Sequence, residues 1–145
     1  MTDAPRVRIE YGAWAAHGPL ASEIRRVVFI DEQAVPQEEE WDGRDDACLH
    51  FLVYLDERAV GTARLLPDGH IGRVALLKEA RGLGLGRELM LATIEVAQRH
   101  GHRRLELAAQ IQALEFYAQL GFEAFGEEFL DAGIPHRNMR LLLAG

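Results

Sequence analysis

The sequence has one cysteine, no long apolar run and no excess of basic residues, and each absence narrows the class of protein. Cys48 alone cannot form an intramolecular disulfide and supplies too little thiol for a structural zinc site, so a reducing cytoplasm is the expected compartment. No segment approaches the roughly 18 apolar residues of a membrane span, and Met1 to Glu10 lacks a signal-peptide core. The net charge of -7 disfavours a nucleic-acid or anionic-membrane surface and favours a cationic substrate.

Low-complexity tracts and internal repeats are also missing. The 145 residues are 48% apolar and 27% charged, which is typical of an ordinary globular protein. We therefore expect one domain that spans residues 1–145. The six histidines show no metal-ligand spacing, so no metal site is expected.

Apolar periodicity and turn residues predict a mixed α/β fold. Helices are predicted to open at Gly18-Pro19, to run from near Arg87 to a cap at Gly101, and to cover Ala113 to Leu120. The acidic stretch 29–46 loses the periodicity and is predicted to be a loop with room for one helical turn. Strands are predicted at residues 7–11, 50–55, 60–66, 71–77, 105–108, 122–125 and 138–143.

The stretch Arg81 to Gly86, RGLGLG, lies between a predicted strand and the helix that follows it. Glycines at 82, 84 and 86 let the backbone turn tightly and point several N–H groups to one side, next to the positive end of a helix. An anion such as a pyrophosphate is the expected ligand, and a glycine-rich surface turn is the alternative. The spacing matches neither GxxxxGK nor GxGxxG, and three antiparallel strands precede it, which excludes Walker-type and Rossmann sites. The strands on either side of the helix should be parallel, in a βαβ unit.

Two motifs, the glycine stretch at 81–86 followed by residues 110–122, resemble those of the GNAT superfamily of N-acetyltransferases in sequence and in order. RGLGLG at 81–86 resembles its R/Q-x-x-G-x-G/A acetyl-CoA loop, and QIQALEFYAQLGF at 110–122 resembles its late N-x-x-A-x-x-F-Y-x-x-x-G-F motif. Upstream, VFIDEQAVP at 28–36, followed by acidic residues and His50, is similar to the ElaA-like branch of small bacterial GNAT proteins. Gln110 stands where the family usually has asparagine, and retains an amide.

The resemblance implies the GNAT fold: a mixed, mostly antiparallel sheet of six to seven strands, flanked by helices, around a central βαβ acetyl-CoA unit. It also implies direct transfer of an acetyl group from acetyl-CoA to a primary amine of a small molecule or peptide. The glycine loop would hold the pyrophosphate, and the preceding strand would pair with the pantetheine arm through its backbone. The cofactor contacts implied by the resemblance are Val74, Leu76, Arg81, Gly82, Gly84, Gly86, Arg87 and Gln110.

Tyr117 matches the family's general acid, which protonates the departing CoA thiolate; the alternative is an aromatic packed beside Phe116. With a phenol pKa of ~10 and a thiol pKa of ~8.5, this transfer is uphill by about 2 kcal/mol. The base that deprotonates the amine is expected among Glu40, Asp42 and His50, with His136 as an outside candidate. Arg73 occupies the place where many relatives have a glutamate, which disfavours a base from that strand.

The acidic segment is expected to line the acceptor side, because an aromatic residue among carboxylates suits an amine. Glu38, Trp41 and Asp42 are the predicted contacts, and a solvated run of charge is the alternative. Two other functions stay open: an acetyl-CoA-binding sensor or interaction module, and an acyltransferase similar to acyl-homoserine lactone synthases, which share a Val-Phe and acidic signature. A monomer or homodimer is expected.

Overall fold

The structure, a computed structural model, describes residues 5–144, and within that range seven strands form two sheets. The first sheet has the order β1-β2-β3-β4 and the second the order β5-β7-β6, with antiparallel neighbours throughout. The mixed, mostly antiparallel fold expected from the sequence is confirmed, with its strands divided between two sheets. The strands are β1 Val7–Gly12, β2 Leu49–Leu55, β3 Arg58–Leu65, β4 Ile71–Leu76, β5 Arg104–Gln110, β6 Glu123–Asp131 and β7 Ile134–Leu142.

The helices pack mainly against the first sheet. Both faces of β2 are covered, since five consecutive residues, 50–54, are buried, and α1 and α3 contact both β2 and β3. No helix in the described part of the chain is long and apolar enough to cross a membrane. The α-helices are α1 Trp14–Arg25, α2 Gln37–Glu40, α3 Leu85–Arg99 and α4 Leu114–Ala118, with 3₁₀ turns at Asp45–Ala47, Lys78–Ala80 and Ile111–Ala113.

The N-terminal helix differs from its prediction at both ends. It begins at Trp14 rather than at Gly18-Pro19, so Pro19 lies inside it. A local contact within the helix accompanies the earlier start: the Trp14 ring covers Gly18, four residues later, where a Cβ would come within 2.9 Å of the indole. At its other end α1 continues as a π-helical segment, Arg26–Glu32, so the predicted loop at 29–46 is more regular than expected.

Strands β4 and β5 are the point where the two sheets separate. They flank α3 as the predicted βαβ unit, and their parallel contact in the described chain is one bridge, His70 with Glu106. The N–H of Glu106 donates to the carbonyl of Gly69 at 3.1 Å there. Beyond the bridge each strand pairs only within its own sheet, so their facing edges diverge and leave a cleft.

Candidate functional site

The cleft between β4 and β5 encloses a cavity of about 290 Å³. Its walls come from the π-helical segment, α2, β4, β5, α4 and the β6–β7 turn, so residues distant in sequence meet there. Apolar side chains form much of the lining, which is typical of small-molecule sites. Its polar and charged residues are Gln33, Glu39, Glu40, Arg73, Gln110, Tyr117, Asp131 and His136.

A β-bulge on β4 shapes one wall of the cleft. Thr62 pairs with Ala75 but Arg64 pairs with Gly72, so β4 has one extra residue in this interval. Within it Arg73 has a φ of +51°, a left-handed conformation that costs a non-glycine residue roughly 1 kcal/mol or more. Bulges of this kind re-aim side chains next to functional sites.

Tyr117 lies on α4 with its side chain almost fully buried in the cleft wall. Its ring makes edge-to-face contacts with Phe116 and Phe122, at centroid distances of 5.0 and 6.0 Å. Burial raises the pKa of Tyr117 to about 12, so the phenol is neutral and carries its proton at physiological pH. The residue is therefore both a packed aromatic and a possible proton donor.

The glycine loop leads directly into α3, which begins at Leu85, two residues before the predicted start. Gly82 and Gly84 both have φ of +79°, and a Cβ on either would meet nothing within 4 Å. Gly84 is the N-cap and provides no side-chain hydrogen bond, so the first N–H groups of α3 stay available to an anion. Gly86 allows close packing instead, since a Cβ at this position would lie only 3.4 Å from the side chains of Leu76 and Phe116.

Arg81, predicted to hold a pyrophosphate, makes contacts within the protein. Its guanidinium donates to both oxygens of the Glu32 carboxylate, at 3.0 and 2.8 Å. It also donates to the carbonyl oxygen of Leu76, from Nε at 3.1 Å and Nη2 at 2.9 Å. Arg81 therefore links the π-helical segment to the end of β4 beside the glycine loop. Arg87 is exposed on the first turn of α3.

Gln110 bridges the two halves of the chain at the cleft. Its Nε2 donates to Oε1 of Gln33 at 2.9 Å, and Gln112 donates to the other end of its amide. Gln33 follows the π-helical segment and Gln110 ends β5, so the amide pair spans from the first half of the chain to the second. Gln110 remains a predicted cofactor contact.

An arginine–carboxylate network fills the space behind the acidic side of the cleft. Arg25 contacts Glu40 through Nε and forms a two-point bond with Asp45, at 2.8 and 3.2 Å. Arg64 bonds to Asp45 at 3.0 Å and also contacts Asp42. The side chains of Arg25 and Glu40 are each only 2% exposed. Sequence analysis missed this network because it joins α1, α2 and β3.

The network keeps its aspartates ionised. Hydrogen bonding to Arg64 holds the pKa of Asp42 well below its usual range. Burial acts to raise the pKa of Asp45, but hydrogen bonds from Arg25 and Arg64 outweigh it and the net shift is downward. These carboxylates therefore balance buried arginines rather than forming an uncompensated acidic wall.

The predicted acceptor contacts are placed unequally. Glu40 lines the cleft, whereas Glu38, Trp41 and Asp42 are outside its lining. Trp41 is 62% exposed, and Glu38 is exposed on α2. The structure thus brings Glu40 together with Tyr117, and the remaining acceptor contacts stay predictions without support from the cleft.

The two candidate histidines lie in different environments. His50 is 1% exposed, packs on Trp14 and donates from Nε2 to the carbonyl oxygen of Asp45 at 2.8 Å, outside the cleft lining. Burial lowers the pKa of His50, so it is neutral, but its position does not let it contact an acceptor in the cleft, and it is not retained as a base. His136 does line the cleft. Its Nδ1–H donates to the Ile134 carbonyl at 2.6 Å, which leaves Nε2 as an acceptor.

A model of the acetyltransferase (GNAT) domain family matches residues 21–143. The chain therefore belongs to the GNAT family of acetyltransferases, enzymes that use acetyl-CoA as co-substrate. The uncharacterized N-acetyltransferase YjcF of Bacillus subtilis is 41% identical over 120 residues, covering 80% of this chain and 86% of YjcF.

Two solved structures support the same assignment. An acyl-CoA N-acyltransferase from Pseudomonas aeruginosa is 30% identical with a TM-score of 0.85, covering 94% of this chain and 99% of its own. ElaA of Escherichia coli is 27% identical with a TM-score of 0.84 over the same shares of the two chains. The predicted superfamily, its ElaA-like branch and the acyltransferase class are confirmed.

Proposed function

We propose that this protein transfers the acetyl group of acetyl-CoA directly to a primary amine of a small molecule or peptide bound in the β4–β5 cleft. The observation that carries the proposal is that Tyr117, the bulged edge of β4 and Glu40 line one cavity. The reaction breaks the thioester C–S bond and forms an amide C–N bond, so it needs a proton donor on one side and an acceptor on the other. The cleft offers both.

The donor side is built from backbone. β4 is an outer strand of its sheet, so the groups at Val74 and Leu76 can pair with an extended pantetheine arm as a further strand would. The amides at 82–87 and the positive end of α3 suit the pyrophosphate. Arg81 competes with pantetheine at the Leu76 carbonyl through Nε and Nη2. Among the described residues its Nη1 has no hydrogen-bond partner, so it can donate to phosphate while Nη2 stays on Glu32.

Tyr117 is proposed as the acid that protonates the leaving thiolate. With its pKa at about 12, transfer to a thiol with a pKa of roughly 8.5 is uphill by about 3.5 units, or about 5 kcal/mol. This is more than the ~2 kcal/mol expected from an unperturbed phenol, because burial disfavours the phenolate. The same burial raises the pKa of a thiol held beside Tyr117, and so it reduces the difference in pKa between the phenol and the thiol.

Glu40 is proposed as the base that accepts the amine's proton. Arg25 fixes the orientation of its carboxylate from behind, while the residue faces the cleft. His136 is the second candidate, through its acceptor Nε2. We further propose the reducing cytoplasm as the compartment, where Cys48 stays a buried free thiol.

Calorimetry and CoA-release assays with Tyr117→Phe test the proposal. Acetyl-CoA should bind the wild type and the variant alike, whereas turnover of the variant should fall by roughly 10²–10⁴-fold, the usual contribution of general acid catalysis. Tyr54→Phe is the matched control, because Tyr54 is equally buried on β2 but outside the cleft, and its turnover should not change.

Three results would contradict parts of the proposal. Failure of the wild type to bind acetyl-CoA at millimolar concentration would exclude acetyl-CoA as the acetyl donor. Binding without CoA release for any amine would favour a sensor or interaction module. Full activity of Tyr117→Phe would remove Tyr117 from the mechanism.

A further inference from the structure

We infer that the acceptor is an amino acid, a primary amine with a carboxylate a few bonds away, and that Arg73 binds this carboxylate. The inference rests on the proposed function and specifies its acceptor. A polyamine or an amine without an anionic group is the class that it excludes.

Arg73 is an anchored cation in the cleft wall. Its Nη2 donates to the carbonyl oxygens of Glu40 at 2.9 Å and Glu39 at 3.3 Å, and lies 3.5 Å from a carboxylate oxygen of Asp42. These contacts fix the guanidinium against α2 while its side chain remains 24% exposed to the cleft. An arginine held in this way is pre-organised for a ligand, because little side-chain freedom is left to lose.

The guanidinium has donors to spare. Among the described residues, Nη1 of Arg73 has no hydrogen-bond partner and is the donor left for a ligand. Nε also lacks a hydrogen bond, but it is buried and lies 3.7 Å from a carboxylate oxygen of Glu40. Arg64 also has an unpaired Nε, but it is almost fully buried and lies outside the cleft lining. Arg73 is therefore the arginine of the network that can bind a ligand, and a carboxylate is the planar anion that matches its geometry.

The charges of the cleft favour an acceptor that carries both signs. Of the charges that line the cleft, Arg73 is partly exposed, Glu39 and Asp131 are exposed nearer solvent, and Glu40 is buried against Arg25. A polycation would meet the Arg73 guanidinium inside the cleft, and the like charges would repel. A carboxylate on the acceptor removes that repulsion, while the acidic residues and Glu40 face its amino group.

The bulge limits how far apart the two groups of the acceptor can be. The β4 backbone is the wall against which the pantetheine arm is proposed to lie. The Arg73 guanidinium is within the length of its own side chain from this backbone. The amine must reach that wall while the carboxylate contacts Arg73, so only a few bonds separate them. The small cavity, about 290 Å³, is consistent with an acceptor of this size.

The experiment compares each protein amino acid that has a primary α-amine with its carboxamide as acceptor, by CoA release at saturating acetyl-CoA. The amide keeps the size of the acid and lowers the pKa of the neighbouring amine, so a preference for the acid cannot come from amine reactivity. For the accepted side chains we expect kcat/KM for the acid to exceed that for the amide by roughly tenfold or more. Arg73→Gln should bring the ratio close to one by slowing the acid alone.

Two variants control for indirect effects. Arg58→Gln removes an exposed arginine of β3 outside the cleft and should leave the acid-to-amide ratio unchanged. Arg73→Lys keeps the positive charge but lacks the planar guanidinium with its several donors, and it should give an intermediate acid-to-amide ratio. Acetyl-CoA affinity, measured for every variant, shows that the donor site is intact.

The outcomes separate this inference from the proposed function. CoA release only with amines that lack a carboxylate, or an acid-to-amide ratio that Arg73→Gln does not change, would overturn the inference and leave the transferase intact. Loss of acetyl-CoA binding in the wild type would refute the transferase itself.

Discussion

Replacing Arg25 by methionine removes the guanidinium that Glu40 and Asp45 share, while keeping much of the side chain's volume. Arg25 and Glu40 are each 2% exposed, so water cannot take over the lost contact. Breaking a buried ion pair from one side typically costs about 3–5 kcal/mol, because an unpaired charge is left behind. Domains are stable by only about 5–15 kcal/mol, so this single change should remove a large share of the folding free energy.

A second substitution should recover part of that loss. In Arg25→Met/Glu40→Met both members of the buried pair are replaced by apolar side chains, a replacement that is often neutral or stabilising relative to the ion pair. The double variant should therefore be more stable than Arg25→Met alone, with a coupling of about 0.5–3 kcal/mol. Asp45 keeps its bond to Arg64 in every variant of the cycle.

Urea unfolding followed by tryptophan fluorescence and circular dichroism gives the four free energies of the cycle. For a chain of this size the Arg25→Met loss corresponds to a fall in Tm of about 6–20 °C. Arg26→Met is the matched control, because Arg26 is the next residue, is exposed and pairs only with exposed Glu23 and Asp31. The assignment of a strong buried pair would be refuted if Arg25→Met lost no more unfolding free energy than Arg26→Met. It would also be refuted if the double variant were no more stable than Arg25→Met.

Two further predictions concern the residues around the cleft. The folded-state pKa of Asp42 lies below its unfolded value of about 3.9, so its stabilising contribution is complete above that pH and is lost as pH falls toward the folded pKa. Between pH 7 and pH 3, urea unfolding should therefore show a loss of stability in the wild type that is smaller in Asp42→Asn, because pH 3 removes only part of the Asp42 contribution. Because Arg73 has a φ of +51°, the Arg73→Gly variant should be more stable than the Arg73→Ala variant by about 1 kcal/mol in the same unfolding assay. Equal stability of the two variants would mean that the bulge relaxes in Arg73→Ala.

Local sequence signals predicted the secondary structure around the glycine loop well. The strand, glycine turn and helix around 71–99 depend on residues close together in the chain, and the structure has them within two residues of the predicted bounds. Strands β6 and β7 extend beyond the predicted 122–125 and 138–143 and meet at a two-residue turn, Ala132-Gly133. Ala132 has a φ of +52°, which alanine rarely adopts, so the turn lacks one of the two residues that usually indicate it.

Contacts between distant elements could not be predicted in the same way. Arg25 is charged and lies on α1, yet it is buried, because Glu40 and Asp45 approach from other elements and neutralise it. His50 was a candidate base because of its type and position in the motif. Burial beneath Trp14 is a property of the packed fold that a single sequence does not show.

The net charge of the chain says little about the charge at the cleft, and the network shows why. Its three arginines, Arg25, Arg64 and Arg73, face three carboxylates, Glu40, Asp42 and Asp45, so the group is balanced overall. The acidic residues of the network therefore pair with arginines beside the cleft. For the proposed amino-acid acceptor, the ligand would use Nη1 of Arg73, so one partly exposed guanidinium would set the charge preference of the site.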